Sequence, residues 1–434
     1  MKSRSAPSLS AEKRLKYVAD LNPASRQDLL EAPDTEVSFL PMEAIGEGGS
    51  LNLDETRPVS DVRNGYSYFE NGDVAFAKVT PCFENGKGAL MSGLEAGAGF
   101  GTTELTVLRA RQGTSARFLH YVVQSSKFRQ LGAAAMTGAG GLKRVPNEFT
   151  RDFKAFWPPL PEQTRIANFL DEQTARIDAL IAEKERLDGL LGEYRSSLIT
   201  ATVTGHVDVE TGAMFPRAHE GGGGVSGRVV APVAWSWSKL KHVASFYTGW
   251  TPPTGNAEFF DGDNLWANIS DLGPKILHDT AKRISEKAID NTAMRVSPAG
   301  SVLFSFKLSI GQISFAGRDM YTNEAIATFP PQAGFNTRWA YWALPIFLPL
   351  NADENIYGAK LLNQELMRSA DILVPPLADQ ERIANFLDEQ TARIDALREH
   401  CKEHIGLLRE YRAALISAAV TGQLDIDNFG RQVA

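Results

Sequence analysis

Residues spaced for covalent chemistry are scarce in this chain. A phosphate-cradling loop requires a leading glycine, four residues, then Gly-Lys and a hydroxyl side chain. The stretch "PCFENGKGAL" at 81–90 supplies only a Gly-Lys-Gly. The run "GAGFG" at 97–101 lacks the strand–turn–helix setting of a dinucleotide cradle and reads as a loop. Proline pairs, "WPPL", "TPPT" and "VPPL" among them, occur, but no Asn-Pro-Pro-Tyr of amino-methyltransferases. No His-Glu-x-x-His occurs. The two cysteines, Cys82 and Cys401, are far apart and in unlike contexts. They suggest neither a zinc site nor a disulfide framework, and a reducing, cytoplasmic compartment is the default. The expectation is a chain with no catalytic residue, no metal ligand and no cofactor of its own.

Non-covalent recognition has better candidates. Lys78, Thr80, Lys87, Lys143 and Arg144 lie beside Gly-rich turns in the first third of the chain. Trp250, Thr251, Lys307, Ser309, Gln312, Lys360 and Asn363 form a second such set. Arg and Lys can pair with guanine edges, and Asn and Gln with adenine. The remaining contacts would go to phosphates. Taken singly, each residue is also readable as a solvated loop side chain.

Something must hold these loops, and the sequence names it by repeating it. "IANFLDEQTARIDAL" begins at Ile166 and again at Ile383, a displacement of 217 residues. The match extends from "PPLPEQTR" against "PPLADQER" to "LLGEYRSSLITATVTGHVDV" against "LLREYRAALISAAVTGQLDI". This period is far longer than that of a solenoid, so it suggests duplication of a whole two-part unit. Within the first copy Ile166, Leu170, Gln173, Ile177, Leu180, Lys184, Leu187, Leu191, Tyr194 and Leu198 step by four and three. The second copy gives Ile383, Leu387, Gln390, Ile394, Leu397, Cys401, His404, Leu408, Tyr411 and Leu415. That spacing predicts a coiled-coil seam, with the polar members fixing register and His404 a seam residue rather than a ligand. Pro159 and Pro376 limit each helix at its start, and Gly205 and Gly422 stop it. Each helix finds its simplest partner in the other copy.

Four segments follow: 1–155 and 226–373 as recognition modules, 156–225 and 374–434 as helical spacers, the first ending in a Gly-rich linker. The modules resemble each other weakly. "NGDVAFAKV" faces "AGSVLFSF", "TTELTVL" faces "TNEAIAT", and "RFLHYVV" faces "RWAYWAL". Alternating apolar runs read as strands, and "RFLHYVVQSSKFRQL" and "NTRWAYWALPIF" as short helices. The expected fold is α+β: two α/β-type modules separated by two long helices that pair as an antiparallel coiled coil, with pseudo-twofold internal symmetry. The net charge of −7 resides in the helical segments, at −5 and −3, while the modules carry +1 and 0. An anionic ligand therefore remains open for the modules. The start has no apolar run suited to a signal peptide. "WAYWALPIFLPL" is too short to span a membrane and is broken by Pro345 and Pro349.

The order module, "PPLPEQTRIANFLDEQTARIDAL", module, "PPLADQERIANFLDEQTARIDAL" resembles the specificity subunits of type I restriction–modification systems over essentially the whole chain. "YTGWTPPTGNAEFFDGDNLWANISDL" is similar to the opening of that family's target recognition domains, with its Thr-Gly-x-Thr-Pro turn. The first module, at "LNPASRQDLLEAPDTEVSFLPMEAI", lacks this turn. The resemblance implies a non-catalytic subunit that reads double-stranded DNA. It also implies two methyltransferase subunits and, in the full complex, restriction–translocase subunits, which bring S-adenosylmethionine, ATP and magnesium. A two-module adaptor that binds no nucleic acid, and an enzyme with an unrecognised site, are the competing readings.

Overall fold

The computed structural model describes residues 12–139, 141–212, 232, 234–292, 294–355 and 358–430; the Gly-rich linker before residue 226 lies outside them. The chain divides into two compact units. One comprises Met1–Leu187 with Cys401–Ala434, the other Asp188–His400. Each combines one α+β module with part of both long helices.

The first unit holds strands β1 (Glu12–Arg14), β2 (Ala19–Leu21), β3 (Glu36–Leu40), β4 (Thr56–Pro58), β5 (Ser67–Glu70) and β6 (Val74–Ala77). They continue as β7 (Gly88–Leu90), β8 (Ala98–Gly101), β9 (Leu105–Ala110), β10 (Thr137–Ala139), β11 (Leu142–Arg144) and β12 (Lys154–Phe156). One sheet has the order β2-β9-β6-β7, the other β4-β3-β8-β5, with β3 and β8 parallel. The run Val-Ala-Phe-Ala of β6 is buried throughout, as a strand covered on both faces must be. Helix α1 (Ala116–Gln124) covers the first sheet, its Phe118, Leu119 and Val122 packing with Val74, Phe76 and Leu108. Ser115 starts this helix by accepting the Phe118 amide at 3.3 Å.

The second unit repeats this plan with β13 (Ser236–Lys239), β14 (Tyr247–Thr248), β15 (Asn264–Ala267), β16 (Ile276–Leu277), β17 (Lys282–Ile284) and β18 (Val302–Ser305). Then follow β19 (Ile313–Ala316), β20 (Tyr321–Thr322), β21 (Ile326–Phe329), β22 (Asp353–Glu354), β23 (Lys360–Leu361) and β24 (Asp371–Val374). The orders are β14-β21-β18-β19-β16 and β17-β15-β20. Helix α2 (Thr337–Leu350) buries Trp339, Leu344, Phe347 and Leu348 and runs through Pro345 and Pro349. The expected break is absent. Burial of the surrounding side chains outweighs the roughly 3 kcal/mol that an interior proline costs. In each unit the module's first strand pairs with its last, β1 with β12 and β13 with β24.

The two long helices, Leu160–Val203 and Leu377–Val420, have 44 residues each. At ~1.5 Å per residue each is about 66 Å long. Both end in the same glycine cap. Gly205 (φ 78°) and Gly422 (φ 73°) adopt the left-handed conformation. The following amides, of His206 and Gln423, reach back to the carbonyls of Ala201 and Ala418. Within each unit the helices run antiparallel. Asp178 pairs with Arg412 and Glu185 with Arg409 in the first unit, Asp188 with Arg398 and Asp395 with Arg195 in the second. Asp178 and Asp395 are repeat equivalents, as are Arg195 and Arg412. Each copy's aspartate thus meets the other copy's arginine, the exchange expected of a self-complementary contact.

The buried row departs from the expected seam. Ile166, Leu170, Ile177, Leu198, Ile383, Leu387, Ile394 and Leu415 are buried, and Leu191 and Leu408 partly so. Leu180, Leu187, Tyr194, Leu397 and Tyr411 are exposed. Gln163, Ala167 and Thr174, with Gln380, Ala384 and Thr391, are buried in their place. Each helix N-terminal half packs on its module as well as on the other helix, and that second contact rotates the buried face away from a strict heptad.

Candidate nucleic-acid interface

In both modules the loop after one central strand, β6 or β18, meets the turn before its neighbour, β9 or β21, and a third segment that differs between the modules joins them. In the first unit these are the β6–β7 loop (78–87), the β8–β9 turn (102–104) and the β10–β11 hairpin. The Lys78 amide donates to the Glu104 carbonyl at 2.8 Å, and the Thr80 hydroxyl donates to the Gly141 carbonyl at 3.0 Å. The Thr80 amide donates to the Lys143 carbonyl and the Lys143 amide donates to the Thr80 hydroxyl, each at 3.0 Å. Arg144 grips the Glu104 carboxylate with two nitrogens, Nη2 to Oε1 at 2.6 Å and Nε to Oε2 at 2.9 Å. That fork holds the Glu104 carboxyl below its usual range. Lys78, Thr80, Lys143 and Arg144 therefore form one cluster. Lys87 lies at the far end of the loop, half-buried, with its ammonium on the Met42 carbonyl at 3.2 Å.

In the second unit the β18–β19 loop (306–312), the β20–β21 turn (323–325) and the turn after β14 meet. The Phe306 amide donates to the Ala325 carbonyl at 3.1 Å, and the Thr251 hydroxyl donates to Glu324. Trp250 is anchored through its backbone. Its amide donates to Thr322 at 2.9 Å, and its carbonyl accepts the Trp266 indole at 3.0 Å. The indole of Trp250 is half exposed. Gly249 is obligatory here, because a Cβ would stand 1.7 Å from the Thr322 carbonyl oxygen. Lys307, Ser309 and Gln312 are exposed on the neighbouring loop. The Asn363 side chain caps the following short helix at Leu366, and Gln364 bonds Thr248, which joins this segment to the turn. Lys360 is exposed on the β22–β23 hairpin.

The residue reading passed over the two glutamates that organise these clusters. Glu104 in "TTELTV" and Glu324 in "TNEAIA" occupy matched positions in the two modules. Each bonds a residue of the recognition set. The shared glutamate was the available signal. It also passed over the ties that seat each module on its long helix. Gln163 accepts the Ser115 amide at 2.8 Å, and Gln380 accepts the Asn336 amide at 2.9 Å. Arg117 and Tyr121 converge on Asp171; Arg338 and Trp342 converge on Asp388, joined there by Lys275. Burial pushes the Asp388 carboxyl up, but these donors outweigh it and hold it below the usual range.

Among the described residues, no group of three or more His, Cys, Asp or Glu side chains is placed to hold a metal ion. No described helix is long and apolar enough to cross a membrane.

Residues 232–405 match the family model described as the type I restriction modification DNA specificity domain. The chain is similar to the specificity subunit of the type I restriction enzyme EcoAI of Escherichia coli, 37% identical over 196 residues. It is similar to that of EcoEI from the same organism, 36% identical over 197 residues. Each match covers 42% of this chain and 32% of the relative, so the chain spans about a third of the length of the curated relatives it matches. Among solved structures, a chain from a study of complex assembly and conformational transition of the type I restriction–modification system superposes with TM-score 0.70 at 21% identity. That superposition covers 95% of this chain and 98% of the other. The HsdS subunit of Thermoanaerobacter tengcongensis gives 0.56 at 20% identity, covering 95% and 97%.

Proposed function

We propose that the chain is a specificity subunit of a type I restriction–modification system, and that each of its two modules reads one half of a bipartite, asymmetric DNA site. The observation that carries this reading is the loop cluster. Both modules build it on matched central strands, β6 with β9 and β18 with β21, while its third segment and its side chains differ. A shared frame with divergent loops suits two readers of two different sequences. The base-contacting set is Arg144 with Lys78, Thr80 and Lys143 in the first module, and Trp250, Thr251, Lys307, Ser309 and Gln312 in the second. Arg144 is held in a fixed plane by Glu104, which suits bidentate contact to one base rather than loose attraction to phosphate.

The helix pair sets the separation of the half-sites and carries two methyltransferase subunits, with restriction–translocase subunits in the full cytoplasmic complex. Leucines and tyrosines exposed on the long helices support a docking role, since exposed apolar patches mark interaction surfaces. In the first unit Leu180, Lys184, His404, Leu407, Leu408 and Tyr411 line a groove of about 360 Å³. Catalysis and its cofactors, S-adenosylmethionine, ATP and magnesium, belong to the partners in this reading. Sequencing the methylated bases of the host genome with and without this gene tests it. A bipartite methylated motif should vanish when the gene is removed; an unchanged methylation pattern refutes the reading.

A further inference from the structure

The most exposed large apolar side chain of the described residues stands inside the second recognition cluster. Leu308 is 94% exposed, at the tip of the β18–β19 loop between Lys307 and Ser309. Its backbone has φ 58°, a left-handed conformation that L side chains adopt at a cost and that glycine or asparagine adopts more readily. The loop around it is tightly bonded. The Ser305 hydroxyl donates to the Lys307 carbonyl at 3.0 Å, the Gly311 amide to Ser305 at 3.0 Å, and the Gln312 amide to Ser309 at 3.3 Å. A strained, immobilised and water-exposed leucine contributes nothing to folding, so its use lies outside the chain.

The matched loop of the first module differs. Residues 78–87 form a helical turn, with Phe83 buried and the Phe83 amide on the Val79 carbonyl. That loop carries no exposed large apolar side chain. The feature therefore belongs to one half-site only. Strands β18 and β19 are antiparallel neighbours inside the five-stranded sheet, and the loop that joins them stands at the end of that hairpin. The roughly 12 Å major groove is wide enough to admit two β-strands, and so the loop at the tip of this hairpin. The apolar group displayed in the major groove is the C5-methyl of thymine.

We propose that Leu308 is a specificity-determining residue that packs on a thymine methyl in the half-site read by the second module. This rests on the DNA-reading function proposed above. The test uses the complex of the full chain with its methyltransferase subunits, and binding to duplexes in which each thymine of the site is replaced in turn by deoxyuridine. With the unaltered chain, one replacement in that half-site should weaken binding about three- to tenfold, the scale of one or two buried methyl groups. Leu308→Asn, which suits the same backbone conformation, should weaken binding to the thymine duplex similarly and make the complex indifferent to the replacement. Leu308→Gly should do the same while raising the thermal unfolding midpoint, because the backbone strain is relieved. Both variants retaining full affinity and the same deoxyuridine profile overturns the proposal, as does a half-site without thymine on either strand. Failure of the unaltered complex to bind any sequence selectively instead overturns the underlying DNA-reading function, and the two outcomes are distinct.

Discussion

At the residue scale, polar side chains are used either to read or to hold, and their partners tell which. Arg144 holds Glu104 in a two-nitrogen fork and carries the base-reading role proposed above. Arg144→Ala should cost about 1–3 kcal/mol of specific DNA binding and relax the preference at one base pair, measured by competition against single-base variants of the site. His120 shows the opposite use. It is partly buried on α1 with its Nδ1 enclosed and unbonded, and desolvation, assisted by Arg412, pushes its pKa down to about 4. The unfolded chain then binds a proton near pH 6.5 that the folded chain refuses until about pH 4. Stability should be full above pH 6.5 and fall as pH drops toward 4, by on the order of 3 kcal/mol. His120→Phe should flatten that slope in denaturant titrations at pH 4.5 and 7. An unaltered slope would show that His120 is not its source.

At the element scale, the ties between module and helix matter more than the ion pairs along the helices. Asp388 has three donors and is mostly covered, so Asp388→Asn should destabilise the second unit by about 1–3 kcal/mol. Its contribution, present above the ordinary carboxylate range, should disappear as pH falls below about 4. Asp178→Asn and Asp395→Asn remove half-exposed partners of Arg412 and Arg195 and should each cost less than about 1 kcal/mol, nearly equally. Parallel urea titrations would check both expectations. Much at this scale was legible in the sequence. Prolines and glycines bounded both long helices, and the weak likeness of "DVAFAKV" to "SVLFSF" marked matching central strands. The rotation of the buried row to Ala167, Thr174, Ala384 and Thr391 was not. A heptad records one neighbour, and these helix halves have two. Persistence of α2 through Pro345 was hidden for a similar reason, since burial of Phe347 and Leu348 is a tertiary fact.

At the scale of the whole molecule, the repeat is the organising fact. One frame used twice supplies two loop clusters and two corresponding sets of helix ties, and lets the loops diverge. The loop clusters were legible only as a set of residue types near glycines. That Lys78, Thr80, Lys143 and Arg144 converge while Lys87 stands apart depends on the hairpin folding back to residue 80. Removing one heptad from each long helix should change the spacer between half-sites and leave the half-sites themselves unaltered, as read in the methylated motif. The central claim, that each module reads its own half, is tested most directly by mapping methylated sites for a chain carrying Lys307→Ala, Ser309→Ala and Gln312→Ala together. One half of the bipartite motif should be lost or relaxed while the other half and the spacer persist. Loss of both halves together, or a motif unchanged in both, would contradict the account.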